Sequence, residues 1–279
     1  MKLFLLTLLA MIAFAANSLL NRAALTAGDI GPAGFAALRV MAGALVLYLL
    51  LWGKSRGRPA FMAPNFPAIV SLTTYVLGFS FAYVALDAGL GALVLFAGVQ
   101  ITMFAGGLRG DDPIPARRWT GMGLSLAGLA YLVWPSQVQT TPTFPLILMA
   151  FAAIGWGIYS ILGKRAVEPI AATAWNFVYT VPLVLAVALP FMPDEPLALR
   201  GILLAMLSGA LTSGLGYALW YRVLPHMEAT TGALAQLSVP VIALVAGAVF
   251  LAEPISGRAV LACVFILGGI ALGLSGKRA

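Results

Sequence analysis

The chain has 279 residues, of which 62% are apolar and 9% are charged, and its mean hydropathy is +1.01. Soluble domains carry about 25% charged residues, so this composition excludes an ordinary water-soluble protein and predicts an integral membrane protein. The net charge of +7 does not indicate nucleic-acid binding, because the Lys and Arg residues occupy short loops between apolar runs, as membrane-topology signals do.

Ten apolar runs follow one another along the chain. Each has about 17–24 residues, near the length that crosses the hydrocarbon core of a bilayer. The first run also resembles a secretory signal peptide, but its apolar stretch continues past Ala15, so we interpret it as a retained helix. The sequence therefore predicts an all-α membrane protein with ten transmembrane helices. The predicted spans are 3–24, 33–53, 66–87, 90–108, 118–135, 144–164, 170–191, 199–222, 229–250 and 258–275.

Positive charge is distributed unevenly between the two sides of these spans. If the N-terminus is cytoplasmic, twelve Lys and Arg residues fall in cytoplasmic segments, and only Arg22, Arg200 and Arg258 fall on the other side. Cytoplasmic loops carry the excess of Lys and Arg in membrane proteins. The distribution therefore predicts that both termini are cytoplasmic.

A short pattern occurs twice in the sequence. "DPI" at 112–114 precedes Arg117, and "EPI" at 253–255 precedes Arg258, with 141 positions between the two copies. Five spans per copy is an odd number, so the second copy would enter the membrane from the opposite side. Inverted repeats of this kind are the architecture of alternating-access transporters. The predicted repeats are residues 1–137 and residues 138–279.

The ten spans, the two repeats and the acidic Pro-containing corner before a Gly-rich last helix resemble the drug/metabolite transporter superfamily, in particular its EamA-type branch. The resemblance covers essentially the whole chain. It is most specific over "GALAQLSVPVIALVAGAVFLAEPISGRAVLACVFILGGI" at 232–270, whereas helix 4 departs by having Val99 where helix 9 has Pro240. Within the branch, the chain resembles bacterial exporters of aromatic and other amino acids. This implies an inner-membrane transporter with a small-molecule substrate and no cofactor.

Polar and aromatic side chains share faces of the inner helices. Residues three or four apart lie on one helical face, and a buried amide or hydroxyl in lipid needs a partner. These faces are therefore expected to line a substrate cavity. Interhelical hydrogen bonding and an interfacial aromatic belt are the alternatives. The predicted substrate-binding residues are Asn17, Tyr75, Phe79, Tyr83, Trp156, Tyr159, Trp175, Asn176, Tyr179, Tyr217, Trp220 and Gln236.

Arg39 is the one basic residue well inside a predicted span. It lies about 10 Å along helix 2 from Pro32, at 1.5 Å per residue. Such a residue could attract a substrate carboxylate. The alternative is an Arg that snorkels or bonds backbone carbonyls to fix the start of the helix, and the family resemblance favours this alternative.

Acidic residues are absent from the centres of the predicted spans, since Asp87, Glu168, Glu228 and Glu253 all lie at rims. Ion-driven transporters usually need an intramembrane carboxylate, so the sequence predicts facilitated diffusion or weak coupling. One His and one Cys argue against an enzyme or a metal site, and no ring of charge indicates an ion channel. A multidrug or other small-metabolite exporter remains the alternative.

Small residues in helices 5 and 10, such as Gly121, Gly269 and Gly273, predict close helix packing there. The sequence leaves open whether the protein is a monomer or a homodimer.

Overall fold

In the computed structural model, the described residues are 2–107, 116–134, 142–164, 166–223, 226, 235–236 and 238–275. Within these ranges the chain forms ten α-helices of two turns or more, in the predicted order. The described chain also contains a short 3-10 helix, Met192–Asp194, and an isolated bridge between Ile30 and Leu197. The helices are α1 Lys2–Thr26, α2 Pro32–Lys54, α3 Phe66–Ala82, α4 Ala88–Gly107, α5 Ala116–Val133, α6 Thr143–Lys164, α7 Pro169–Ala188, α8 Leu199–Val223, α9 Ser238–Leu251 and α10 Gly257–Leu274.

Length and composition make five of these helices capable of crossing a membrane. They are Leu3–Thr26, Pro32–Lys54, Thr143–Gly163, Pro169–Ala188 and Leu199–Val223. Four shorter helices are also apolar: Phe66–Ala82, Ala88–Met103, Ser238–Leu251 and Gly257–Gly273. The all-helical membrane protein is therefore confirmed, and the full count of ten spans and the side of the termini stay predictions.

Helix boundaries follow from residues that satisfy free backbone groups. Pro32 and Pro169 begin α2 and α7, where a missing N–H costs nothing. The Asn65 side chain accepts a bond from the Ala68 N–H at the start of α3, and Ser256 does the same at the start of α10.

The α3 helix ends at Ala82, earlier than the predicted limit of 87. Arg22 explains the difference, because its guanidinium donates to the backbone oxygens of Tyr83 and Val84 at 3.1 and 3.0 Å. These bonds hold the chain in a turn before α4 begins.

Helix packing between the two halves of the chain is reciprocal. α3 packs on α6, and α8 packs on α1; α4 packs on both α6 and α9, and α9 also packs on α1. α2 packs on α7, and α5 packs on α10. Each of these contacts thus has a counterpart when the halves are exchanged, and the core lies where α1, α3, α4, α6 and α8 meet.

Glycines allow the closest of these contacts. A Cβ at Gly121 would lie 2.3 Å from the carbonyl oxygen of Gly269, and the Ser125 hydroxyl donates to the Ile266 oxygen at 3.2 Å. Because these backbones touch directly, the predicted close packing of helices 5 and 10 is confirmed. α3 and α6 meet in the same way at Gly78 and Gly155.

Candidate substrate site

A closed chamber lies at the centre of the bundle. Its cavity is about 10 Å³, roughly the space that one water molecule needs. None of its lining residues is more than 7% exposed, so the chamber is largely shielded from solvent by the described helices. The lining residues are Phe14, Asn17, Tyr75, Phe79, Leu95, Phe96, Trp156 and Tyr217.

Aromatic rings form most of the chamber wall. The Trp156 ring centroid lies 4.7 Å from that of Tyr217 and 5.0 Å from that of Tyr75, both tilted. Phe14 meets Tyr217 edge-on at 5.8 Å. Offset and edge-to-face pairs are the favoured arrangements of aromatic side chains. The rings therefore pack against one another and leave only the small central cavity.

Asn17 connects this wall to a polar network. Its Nδ2 donates to the Tyr75 hydroxyl at 3.2 Å, while its Oδ1 accepts bonds from Ser208 at 2.6 Å and Thr212 at 3.0 Å. A buried amide must satisfy both its oxygen and its nitrogen, and Asn17 uses both. The network therefore joins α1, α3 and α8 across the two halves of the chain.

The hydroxyls of this network lie on a π-helical segment of α8, Ser208–Leu215. In a regular α-helix, residues five apart lie about 140° apart around the axis. The wider π turn, with its i→i+5 bonds, instead places Ser213 one turn above Ser208. Ser208, Thr212 and Ser213 thus share one face, where they reach Asn17 and Arg39. The sequence interpretation missed these three residues.

Arg39 lies in a second layer behind the chamber wall. Its side chain is 1% exposed, its Nε donates to the Ser213 hydroxyl at 3.1 Å, and its Nη2 donates to the Tyr75 hydroxyl at 2.8 Å. Its Cζ lies 5.0 Å from the Tyr75 ring centroid and 4.8 Å from that of Phe79. Nη1 has no hydrogen-bond partner among the described residues, and the guanidinium forms no ion pair with them. The guanidinium therefore does not snorkel to either end of the helix.

Other predicted site residues surround the chamber. Tyr159 packs against Trp156 at 5.8 Å, and Trp220 packs edge-on against Phe14 at 6.0 Å. Tyr83 is fully buried against Phe79, and its hydroxyl donates to the Ala88 oxygen at 3.3 Å. These three residues support the chamber wall without lining the cavity.

Two of the predicted aromatic residues lie elsewhere. Trp175 Nε1 donates to the Ala60 oxygen at 3.0 Å, and the Tyr179 hydroxyl donates to the Met62 oxygen at 2.7 Å. They attach α7 to the loop between α2 and α3. Asn176 is half-buried on α7 and Gln236 is buried, and neither lines the cavity.

A charged cluster closes the bundle at the end where α1 finishes and α4 begins, which we call the Arg22 end. Arg22 pairs with Asp87 and with Glu253, each at 3.2 Å. The Glu253 carboxylate also accepts the Ala88 N–H at 2.8 and 3.0 Å. This Arg22 cluster, made of Arg22, Asp87, Glu253 and the Ala88 backbone, ties the corner between α9 and α10 to α1 and α4.

The surroundings of the Glu253 carboxyl raise its pKa. Burial raises the pKa of the Glu253 carboxyl, and the nearby Asp87 raises it further, while the Ala88 N–H and Arg22 act in the opposite direction. The net direction is upward. The sequence placed Asp87 and Glu253 at span rims but did not pair them with Arg22.

A second contact between the halves lies at the same end. The Glu195 carboxylate accepts the backbone N–H groups of Ala33 at 3.0 Å and Gly34 at 2.8 Å, so it caps the start of α2. Arg200 pairs with Asp29 at 3.0 Å. The Asp112 corner of the sequence repeat, Glu228 and the connector 135–141 lie outside the described residues.

Apolar helices, five of them long enough to span a membrane, surround the chamber, and transporter substrate sites lie in this position between helices near the middle of the membrane. Comparison with known proteins agrees, because residues 143–275 match the EamA-like transporter family. The uncharacterized protein PA1977 of Pseudomonas aeruginosa is 44% identical over 96% of this chain and 93% of that protein. The chain belongs to the EamA-like transporter family, as the sequence resemblance predicted.

Two further similarities extend this result. A probable amino-acid metabolite efflux pump of Salmonella typhimurium is 25% identical over 72% of this chain and 73% of that protein. A solved crystal structure superimposes with a TM-score of 0.70 over 97% of this chain and 96% of that chain, at 20% sequence identity. At that identity the structural match establishes the shared fold.

Proposed function

We propose that this protein exports aromatic and other neutral amino acids across the bacterial inner membrane. Transport would occur by alternating access, in which two inverted five-helix repeats rock around the central chamber. The observation that carries the proposal is the chamber itself, because helices from both halves of the chain wall it and its aromatic lining surrounds one polar amide, Asn17. Substrate sites of inverted-repeat transporters lie at such a junction.

The reciprocal packing of the two halves supports the rocking mechanism. In the predicted topology the Arg22 end faces outward, so the Arg22 cluster would keep the outer side closed. The name of the Salmonella relative supports amino acids as the substrate class.

The distribution of acidic residues supports transport without obligatory ion coupling. No Asp or Glu lies within α1 to α10 over the ranges that the structure describes. A membrane-embedded carboxylate is the usual ion or proton carrier of coupled transporters.

The experiment that tests the function is uptake of radiolabelled amino acids into liposomes containing the purified protein, with and without a pH gradient. We expect saturable uptake that equilibrates across the membrane and does not concentrate when the gradient is imposed. Trp156→Ala, which removes the ring at the centre of the wall, should reduce this uptake, whereas Trp52→Ala, at an exposed position, should not. Concentrative, gradient-driven uptake would contradict uncoupled transport. Absence of amino-acid flux would favour a multidrug or other small-metabolite substrate.

A further inference from the structure

Directly behind the chamber wall lies a buried charge, Arg39, without a counter-ion among the described residues. The Arg39 guanidinium contacts two neutral hydroxyls and two ring faces, and no carboxylate of the described chain pairs with it. A buried charge is normally paired, because removing it from water is costly. Arg39 is therefore a buried cation that no acidic side chain of the described residues neutralises.

The guanidinium is also held in one orientation. The π turn of α8 presents Ser213 to Nε, and the rings of Tyr75 and Phe79 pack near the guanidinium. Within the described structure, Nη1 donates to no acceptor, although Arg carries two N–H groups on that nitrogen. Nη1 and Nη2 together form the planar fork that binds a carboxylate through two parallel bonds.

Tyr75 occupies one branch of that fork in the closed state. Its hydroxyl oxygen accepts from Arg39 Nη2 at 2.8 Å and from Asn17 Nδ2 at 3.2 Å, and its ring lines the cavity. The phenol oxygen thus stands where one oxygen of a carboxylate would lie. Displacement of this hydroxyl would give a ligand in the chamber direct access to Arg39.

We propose that Arg39 selects substrates by their carboxylate, which displaces the Tyr75 hydroxyl and bonds to Nη1 and Nη2. This assignment rests on the proposed transport function and names the substrate class more closely. Substrates carry a free carboxylate and no net positive charge, because a cation would meet the unpaired guanidinium in a low-dielectric site. Apolar amines and cationic drugs are therefore excluded from the chamber.

Equilibrium binding of two radiolabelled probes to the purified protein tests this assignment. 3-Phenylpropionate keeps an aromatic ring and a carboxylate, whereas phenethylamine keeps the ring and an amine. We expect the wild-type protein to bind 3-phenylpropionate at least about tenfold more tightly. Arg39→Gln should remove that preference, and Arg200→Gln, which neutralises an exposed Arg on the same chain, should leave it unchanged.

Tyr75→Phe provides a readout that keeps the assignment testable if Arg39→Gln does not fold. Loss of the hydroxyl removes the group that the carboxylate must displace, so 3-phenylpropionate should bind more tightly. The same change leaves Arg39 Nη2 and Asn17 Nδ2 without an acceptor, so the protein should unfold at a lower temperature. A Tyr75 with a purely structural role would weaken binding and stability together.

The outcomes separate this assignment from the proposed function. Equal binding of both probes to the wild-type protein, binding of neither, or weaker 3-phenylpropionate binding by Tyr75→Phe overturns the role of Arg39. If the carboxylate preference depends on Arg39 but liposomes show no amino-acid flux, amino-acid export is wrong and the Arg39 assignment stands.

Discussion

Replacement of Arg22 by Gln should open the Arg22 end of the bundle. Arg22 is 14% exposed and Glu253 is 11% exposed, so their ion pair is shielded from water more than a surface pair. The change removes two ion pairs and two bonds to backbone oxygens, and it leaves Asp87 and Glu253 close to each other without a cation. A charged hydrogen bond contributes about 1.5–3 kcal/mol. Because Asp87 is partly exposed, we expect the closed state to lose about 2 kcal/mol, which lowers the ratio of closed to open molecules about 30-fold.

The opening can be measured by thiol accessibility. Leu93 is fully buried on α4, below the cluster, and Cys263 is the chain's one native Cys. In a Cys263→Ala background, Leu93→Cys should react slowly with a membrane-impermeant maleimide added from outside. Adding Arg22→Gln should raise that rate about 30-fold, in proportion to the open population.

Arg200→Gln is the matched control, because it also breaks a pair between the halves at the same end, but Arg200 is 65% exposed. Exposed ion pairs contribute little, about 0–1 kcal/mol, so the labelling rate should change far less. Equal maleimide labelling rates for the Leu93→Cys protein with and without Arg22→Gln would refute the view that the Arg22 cluster holds this end closed.

Three other predictions follow from the structure. Asn17→Ala removes the acceptor of the Ser208 hydroxyl, whereas Thr212 and Tyr75 keep other hydrogen-bond partners. The free energy of unfolding, measured by thermal unfolding in detergent, should fall by about 1–2 kcal/mol. An unchanged free energy of unfolding would contradict the network. Gly121→Ala places a Cβ against the Gly269 oxygen and should destabilise the protein by about 1–3 kcal/mol, whereas Gly123→Ala, which meets open space, should be neutral or stabilising in the same assay. The pKa of Glu253 is raised in the closed state, so this state binds the Glu253 proton more tightly than an open state in which the carboxyl is hydrated. Closure is therefore favoured at low pH. This contribution is lost as the pH rises from the ordinary pKa of 4.5 through the raised pKa. Maleimide labelling of Leu93→Cys should therefore be slower at acidic than at neutral external pH after correction for the pH-dependent reactivity of a free thiol, and Glu253→Gln should flatten this dependence.

The central part of the site was predictable because it obeys regular helical periodicity. Asn17, Tyr75, Phe79, Trp156 and Tyr217 were all selected from polar and aromatic faces of apolar helices, and all five line the chamber. A polar or large aromatic group deep in an apolar helix has few favourable positions other than the bundle interior. The same reasoning predicted the positions of the helices that the structure describes, since the apolar runs set those positions.

Other features depend on contacts that periodicity does not encode. Ser208, Thr212 and Ser213 share a face only because the π turn changes the helical repeat, and an α-helical projection separates Ser213 from the other two. Trp175 and Tyr179 have the spacing of site residues, but their partners are carbonyls of an irregular loop. Arg22 and Glu253 lie 231 positions apart, so only the folded chain brings them together.

The π turn also makes the two halves of the chain contribute different groups around the chamber. α3 and α8 hold corresponding places in the reciprocal packing, yet within the described helices only α8 contains a π segment. If the protein carries zwitterions as proposed, a substrate that enters from one side meets Arg39 and these hydroxyls in the reverse of the order met from the other side. For an uncoupled carrier, detailed balance requires the ratio of maximal rate to half-saturation concentration to be equal for efflux and influx. The half-saturation concentrations themselves can differ between the two sides. Such a carrier can therefore have a high half-saturation concentration on the cytoplasmic side, where the substrate is concentrated, and a low one on the outer side, where it is dilute.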